Sequence, residues 1–240
     1  MRIAQVLFKQ GFGTRRDCAG LIQHGLVEIQ GRVIDDPDEE VDTDGLVFTV
    51  QGRAWPYHEK ALVLLHKPAG YECSRKPKHH PSVLSLLPAP LRLRDAQPVG
   101  RLDEDTTGVL LLTDDGSLIH RLTSPKRHVP KVYEVTTKHP LDDKQRERLL
   151  AGVVLDDDPA PVSAAAAEIT GVNRLRLTLL EGKYHQVKRM VAAVGNRCEG
   201  LHRSAFGNLS LDDGLARGQW RWVSAAERAA LLAPQPVAAA

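Results

Sequence analysis

The chain has 240 residues, with 32 lysines and arginines against 30 aspartates and glutamates, a net charge of +2 and 42% hydrophobic residues. This is the composition of an ordinary soluble protein, long enough for one large domain or two unequal ones. No apolar run approaches the ~20 residues of a membrane span, and the three cysteines, Cys18, Cys73 and Cys198, lie far apart without a CxxC pair, which argues against a disulfide framework or structural zinc and for reduced thiols in the cytoplasm.

At the N-terminus, Ile3, Val6 and Leu7 form a helical stripe that ends at Gly11-Phe12-Gly13. The charges at Lys9, Arg15, Arg16 and Asp17 leave no apolar signal core, again an expectation of a cytoplasmic protein. Thr14 is a good N-cap, and Asp17 three residues on completes a capping-box-like start to a second helix. Its apolar face is Cys18, Ala19, Leu21 and Ile22, and Gly25 closes it. Residues 26–29 and 32–34, joined at Gln30-Gly31, read as a hairpin, and 46–50 as a further strand. Residues 53–59, with Trp55-Pro56-Tyr57, read as a linker, which places a domain boundary near residue 58.

The second part alternates strands and helices without a regular βαβ rhythm. Strands are expected at 61–65, 109–112, 132–136 and 174–179, and helices at 118–122, 142–151 and 184–194. The pattern suggests α+β with a mixed, largely antiparallel sheet. The last seven residues, 234–240, read as a flexible tail. Charge is uneven. Residues 116–133 carry Arg121, Lys126, Arg127 and Lys131 with no acid, and residues 67–101 carry seven bases against Glu72 and Asp95. Basic surface concentrated there suits a polyanionic partner.

Between those two regions lies Gly100-Arg101-Leu102-Asp103-Glu104-Asp105-Thr106-Thr107-Gly108, running into the apolar Val109–Leu112 and then Thr113-Asp114-Asp115-Gly116. An arginine and a carboxylate two residues apart, on a loop held by a buried strand, are placed as catalytic groups usually are. A positioned carboxylate with a basic neighbour can serve as nucleophile or general base. On local pattern alone a plain turn is an equal reading, and a calcium loop fails because Asp114 stands where a bidentate Glu is needed. A metal-dependent nuclease using Asp103, Asp105 and Asp114 is another reading of the same acids. His185 reads as structural or RNA-contacting, and His79-His80 as part of a basic loop with Arg75, Lys76 and Lys78.

The segment GRLDEDTTGVLLLTDDG closely resembles the signature of bacterial rRNA pseudouridine synthases of the RsuA/RluB/RluE/RluF group. The likeness continues, in the family's order, through His66-Lys67-Pro68-Ala69-Gly70-Tyr71-Glu72-Cys73-Ser74, Lys131-Val132-Tyr133 and Glu181-Gly182-Lys183-Tyr184-His185-Gln186-Val187-Lys188-Arg189-Met190. It implies a pseudouridine synthase catalytic domain, residues 59–233, whose active site lies in a cleft across its sheet. Asp103 matches the catalytic carboxylate, which acts on the sugar either as nucleophile or as base. Arg101 matches the residue that holds the flipped nucleotide, and Tyr133 the tyrosine against the base. Lys188 matches the basic partner that keeps the Asp ionised, with Arg189 as the fallback. The reaction is redox-neutral and implies no cofactor and no metal.

Residues 1 to about 52 resemble an S4-type RNA-binding domain, which with the linker gives a first domain of residues 1–58. That likeness points to Arg15 and Arg16 as RNA contacts, with Lys9 possible. Arg121, Lys126, Arg127 and Lys131 extend the expected RNA surface, with Arg189. Lys183–Met190 resembles the small-subunit branch of the group, whose large-subunit members carry an EGRNRQVRRM-like segment. The expected partner is therefore 16S rRNA, at uridine 516, within a small-subunit assembly intermediate and bound by a monomer. A 23S rRNA target and a non-catalytic ribosome-assembly protein are the alternatives.

Overall fold

A computed structural model describes residues 1–156, 158–211 and 213–233; the expected tail at 234–240 lies outside the described residues. The N-terminal helices are Ile3–Lys9 and Arg15–Gln23. The second begins with the expected capping box: the Thr14 hydroxyl accepts from the Asp17 N–H, and the Asp17 carboxylate accepts from the Thr14 N–H. The helices pack on an antiparallel sheet in which Val27–Ile29 lies between Arg32–Val33 and Val47–Val50.

The stretch read as a linker is different. Arg53–Pro56 is a fourth strand, paired with Val47–Val50, and Trp55 is buried. Its alternation places Trp55 inward, where the ring meets Phe12 edge-on at 5.3 Å on one side and Trp222 of the larger domain at 5.3 Å on the other. One apolar core therefore runs from Ile3 and Val6 through Trp55 into Val63 and Leu65.

The larger part is built on a sheet of nine strands among the described residues. Its path runs Ala166–Gly171, Arg174–Leu179, Lys131–Thr137, Cys198–Phe206, Thr107–Thr113, Leu62–Lys67, Trp220–Trp222. Every pairing along it is antiparallel except that of Cys198–Phe206 with Thr107–Thr113. The fold class is thus α+β with a mixed, mostly antiparallel sheet. The uninterrupted apolar run at 109–112 has a direct cause. Leu110 and Leu112 enter the core shared with the N-terminal domain, while Val109 and Leu111 enter a second core with Leu118 and Leu122, so both faces of this strand are covered. No helix among the described residues is long and apolar enough to cross a membrane.

The one parallel pairing depends on Gly108. Its φ of +113° is open to glycine, and a Cβ there would collide with the Arg203 carbonyl oxygen. This close approach brings the loop ahead of Thr107 against the middle of Cys198–Phe206, and so positions the site.

Candidate active site

Asp103 sits at the start of a tight turn closed by a hydrogen bond from the Thr106 N–H to the Asp103 carbonyl at 3.1 Å. The turn is fastened from below by Lys67. This lysine is fully buried at the end of Leu62–Lys67 and donates to the carbonyls of Pro68, Glu104 and Thr106 at 2.7–3.0 Å. Burial lowers its pKa, while the acids of the turn act in the opposite direction. The Gly70 N–H adds a bond to the Glu104 carbonyl. The His-Lys-Pro-Ala-Gly segment is therefore the scaffold of the Asp103 loop, through contacts made almost 40 residues away in sequence.

The carboxylates of this turn face the N-terminal end of the Gln186–Ala193 helix. That helix starts later than the spacing predicts, because His185 adopts a left-handed conformation with φ +47° and turns the chain into it. Lys188 Nζ lies 3.3 Å from Asp103 Oδ2 and 2.7 and 2.8 Å from the two Asp105 oxygens, so it is shared between two carboxylates, with Asp105 the nearer. Burial works against the charge on Lys188, but the two carboxylates outweigh it and raise its pKa. Burial likewise opposes the charge on Asp105, and Lys188 outweighs it and lowers that pKa. His185 Nε2 stands 3.3 Å from Asp103 Oδ1, with its ring stacked on Tyr184 at 3.8 Å.

These groups line a cleft of about 960 Å³ with Arg101, Tyr133, Leu179, Leu201, Arg203, Phe206 and Lys131 among its walls. Tyr133 is 8% exposed and lies in register between Leu177 and Arg203 on the sheet, which fixes its ring as part of a rigid wall. Arg101 is exposed on the loop at the rim. A second rim is formed by Lys78, His79 and His80. Their loop is wrapped round Glu72, whose carboxylate accepts from the backbone N–H groups of residues 78, 79 and 80 at 2.8–3.1 Å; these bonds hold its pKa at about 2.

The expected residues fall into three groups. Asp103, Arg101, Tyr133 and Lys188 meet in the cleft. Arg15 and Arg16 are exposed at the start of the second helix, with Arg15 over the Phe8 ring at 5.3 Å, and Arg121, Lys126 and Arg127 are exposed beyond Thr123 of the cleft wall. The other two differ: Lys131 is buried, and Arg189 is half-exposed outside the cleft. Lys131 is only 9% exposed and lies inside the cleft, because it begins a central strand and alternates inward with Tyr133 and Val135. Arg189 is not part of the cleft wall and donates to the Tyr184 carbonyl instead.

Of the acids in the nuclease reading, Asp103 and Asp105 meet at Lys188, but Asp114 does not join them. Asp114 lies at the far end of Thr107–Thr113, where it binds Arg94 at 2.7 Å and the Ala61 N–H at 2.8 Å. Reasoning from sequence gave His185 only as structural or RNA-contacting, Asp105 only within the nuclease reading and Glu72 only within a motif, and assigned none of them a contact in this site. For His185 the available signal was its place three residues before Lys188, on the same side of the helix start.

The family model of RNA pseudouridylate synthases matches residues 61–193, and that of the S4 domain residues 1–47. The chain is similar to the ribosomal small subunit pseudouridine synthase A of Yersinia pestis (39% identity, 98% of this chain and 99% of that protein) and to that of Escherichia coli K12 (37%, 97% and 100%). It is equally similar to an RNA pseudouridine synthase of Bacillus subtilis, YtzG, whose name marks it as uncharacterised (39%, 98% and 100%). A crystal structure of a pseudouridylate synthase aligns with a TM-score of 0.69 at 33% identity, over 96% of this chain and 99% of that one.

Proposed function

The chain belongs to the RNA pseudouridylate synthase family, and from that premise we propose that it converts one uridine of small-subunit ribosomal RNA to pseudouridine, with Asp103 as the catalytic carboxylate. The observation that carries this reading is the juxtaposition of Asp103, Lys188 and Tyr133 in one cleft. The reaction breaks the bond from N1 of uracil to C1′ of ribose, turns the base, and joins C5 to C1′. A carboxylate is needed on the sugar side; Asp103 and Asp105 both reach the cleft from the loop that Lys67 and the Thr106 turn hold, and the motif likeness selects Asp103. The base must leave its stack, at a cost of a few kcal/mol. The face of Tyr133 and the side chains of Leu179 and Leu201 offer it apolar and aromatic surface in return. Arg101 at the rim suits the phosphate or ribose that follows the base out of the helix.

The small-subunit target rests on the Yersinia and Escherichia relatives, which match over nearly the whole chain, and on the Lys183–Met190 segment. Uridine 516 of 16S rRNA is the specific site we propose. Arg15, Arg16, Arg121, Lys126 and Arg127 are exposed where they can meet phosphates of an RNA wider than a single nucleotide, although Arg121 also donates to the Leu232 carbonyl, and an assembly intermediate would present such a surface.

Asp103→Asn tests the chemistry. With small-subunit rRNA carrying tritium at C5 of uridine, isomerisation releases the label. The variant is expected to lose about 10²–10⁴-fold in rate, as loss of a proton-transfer group does, while its melting temperature and RNA affinity stay close to those of the parent. Activity within about tenfold of the parent would remove Asp103 from the role.

A further inference from the structure

The floor of the cleft holds two buried cations, Arg203 and Lys131, with Glu181 as an acid of the same wall acting on Lys131 from a distance. Arg203, on Cys198–Phe206, is 2% exposed. Its Nε donates to the Val109 carbonyl at 2.8 Å, and its Nη2 is buried without a hydrogen-bond partner. The guanidinium stands 5.2 Å from the centroid of the Phe206 ring, and the Lys131 ammonium 5.6 Å from the same centroid. Lys131 donates to the Val129 carbonyl at 2.9 Å. Among the described residues neither cation forms an ion pair, and both line the cleft with Tyr133 and Phe206.

Buried cations are normally paired, and a buried donor left unmade costs about 1–3 kcal/mol. A native fold retains such a group where something else completes it. The occupant must reach the floor past Tyr133, carry an oxygen acceptor and tolerate an apolar wall. Of the parts of an RNA, a flipped base meets those terms, and uracil has two carbonyl oxygens. A phosphate meets its cations at the rim instead, where Arg101 and Lys78 stand beside His79 and His80.

We propose that Arg203, supported by Lys131, binds a carbonyl oxygen of the flipped uracil and stabilises the uracil anion formed when the glycosidic bond breaks. The inference rests on the pseudouridine synthase reading and adds a catalytic role to it. The electron pair of the N1–C1′ bond leaves with the base and is delocalised onto O2 and O4. C1′ is left electron-poor on the Asp103 side. After the base turns, C5 supplies the electron pair for the new bond to C1′, the C5 proton departs and N1 takes one up, so substrate and product are isomers and no co-reactant is consumed. A fixed cationic donor on a carbonyl oxygen acts where negative charge appears and holds the base in both orientations.

The test uses the full-length chain and a small-subunit rRNA whose target position carries uridine, 2-thiouridine or 4-thiouridine, since sulfur is the weaker hydrogen-bond acceptor. Single-turnover isomerisation is followed by mass spectrometry of the digested RNA. For the parent protein, one thio substitution is expected to slow the reaction by about tenfold. Arg203→Met is expected to lose about 100-fold or more on uridine, as loss of one such donor does, to keep its RNA affinity within about threefold, and to show no further loss with the thio substrate. Arg203→Lys, which keeps the charge and serves if the Met variant does not fold, is expected to fall between. Equal rates for all three substrates in the parent, rates within about threefold for both variants, or the same thio effect in parent and variant would each overturn the role. In all of these outcomes the parent still isomerises uridine through Asp103, so the broader reading is judged separately by Asp103→Asn.

Discussion

Burying the Lys131 ammonium opposes folding, and the effect can be measured. Burial, with the Arg203 charge behind it, lowers its pKa from 10.5 to about 8, against a smaller opposing pull from Glu181. Below pH 8 the folded chain carries this penalty in full, of order 3 kcal/mol. Between pH 8 and 10.5 the unfolded chain holds the proton more firmly than the folded one, so the lysine's contribution to stability rises with pH across that window. Lys131→Met is therefore expected to raise stability at pH 7 by about 2–3 kcal/mol in urea denaturation, to flatten the rise above pH 8, and to slow isomerisation. A Met variant no more stable than the parent at pH 7 would mean that the ammonium is not held in a costly environment. The loop-before-strand setting of Asp103 is local and legible in the sequence, whereas the burial of Lys131 is not, because it belongs to a basic run in sequence and to the core in space. The contacts of His185 and Asp105 were not legible for the same reason: their partners lie about 80 residues away along the chain.

At the scale of elements, the parallel pairing of Thr107–Thr113 with Cys198–Phe206 decides where the chemistry sits. It joins the Asp103 loop to the strand that carries Arg203, at the point where Gly108 lies against the Arg203 backbone. Gly108→Ala is expected to destabilise the protein by at least about 3 kcal/mol, because the added Cβ collides with backbone that cannot move aside and the φ is unfavourable for any side chain. Denaturation midpoints check this; a change under about 1 kcal/mol would mean that the two strands separate easily. Thr107–Thr113 was legible because four apolar residues in a row mark a strand covered on both faces. Cys198–Phe206 was not: it mixes Glu199, His202 and Arg203 with apolar residues, and register shifts at two places break its alternation. Arg53–Pro56 was hidden by its proline, which an edge strand accommodates.

At the scale of the whole molecule, the S4 domain is welded to the pseudouridine synthase domain. Arg94, with its side chain 4% exposed, binds Asp114 and the Gln10 side chain, each at 2.7 Å, and the Glu59 carbonyl at 3.0 Å. Gln10 is fully buried and also binds the backbone of His58. The S4-like segment was legible from its helices and hairpin; this weld was not, because it joins residues 10, 94 and 114. One consequence concerns truncation. Deleting residues 1–55 removes Gln10 and Trp55 from the shared core, so it is expected to lower the melting temperature as well as RNA affinity. The cleaner probe is the double substitution Arg15→Ala with Arg16→Ala, on the exposed start of the second helix. Losing two phosphate contacts should reduce the slope of log affinity against log salt by about 1.5–2 without moving the melting temperature. An unchanged slope would take this helix off the RNA.

The central claim joins the cleft to one RNA. It is tested most directly by mapping pseudouridine across 16S and 23S rRNA from cells that lack this protein, complemented with the parent or with Asp103→Asn. The account predicts that deletion removes one 16S pseudouridine, at position 516, and that the parent restores it while Asp103→Asn does not. Loss of a 23S pseudouridine with 16S unchanged would contradict the proposed target, and restoration by Asp103→Asn would contradict the proposed chemistry.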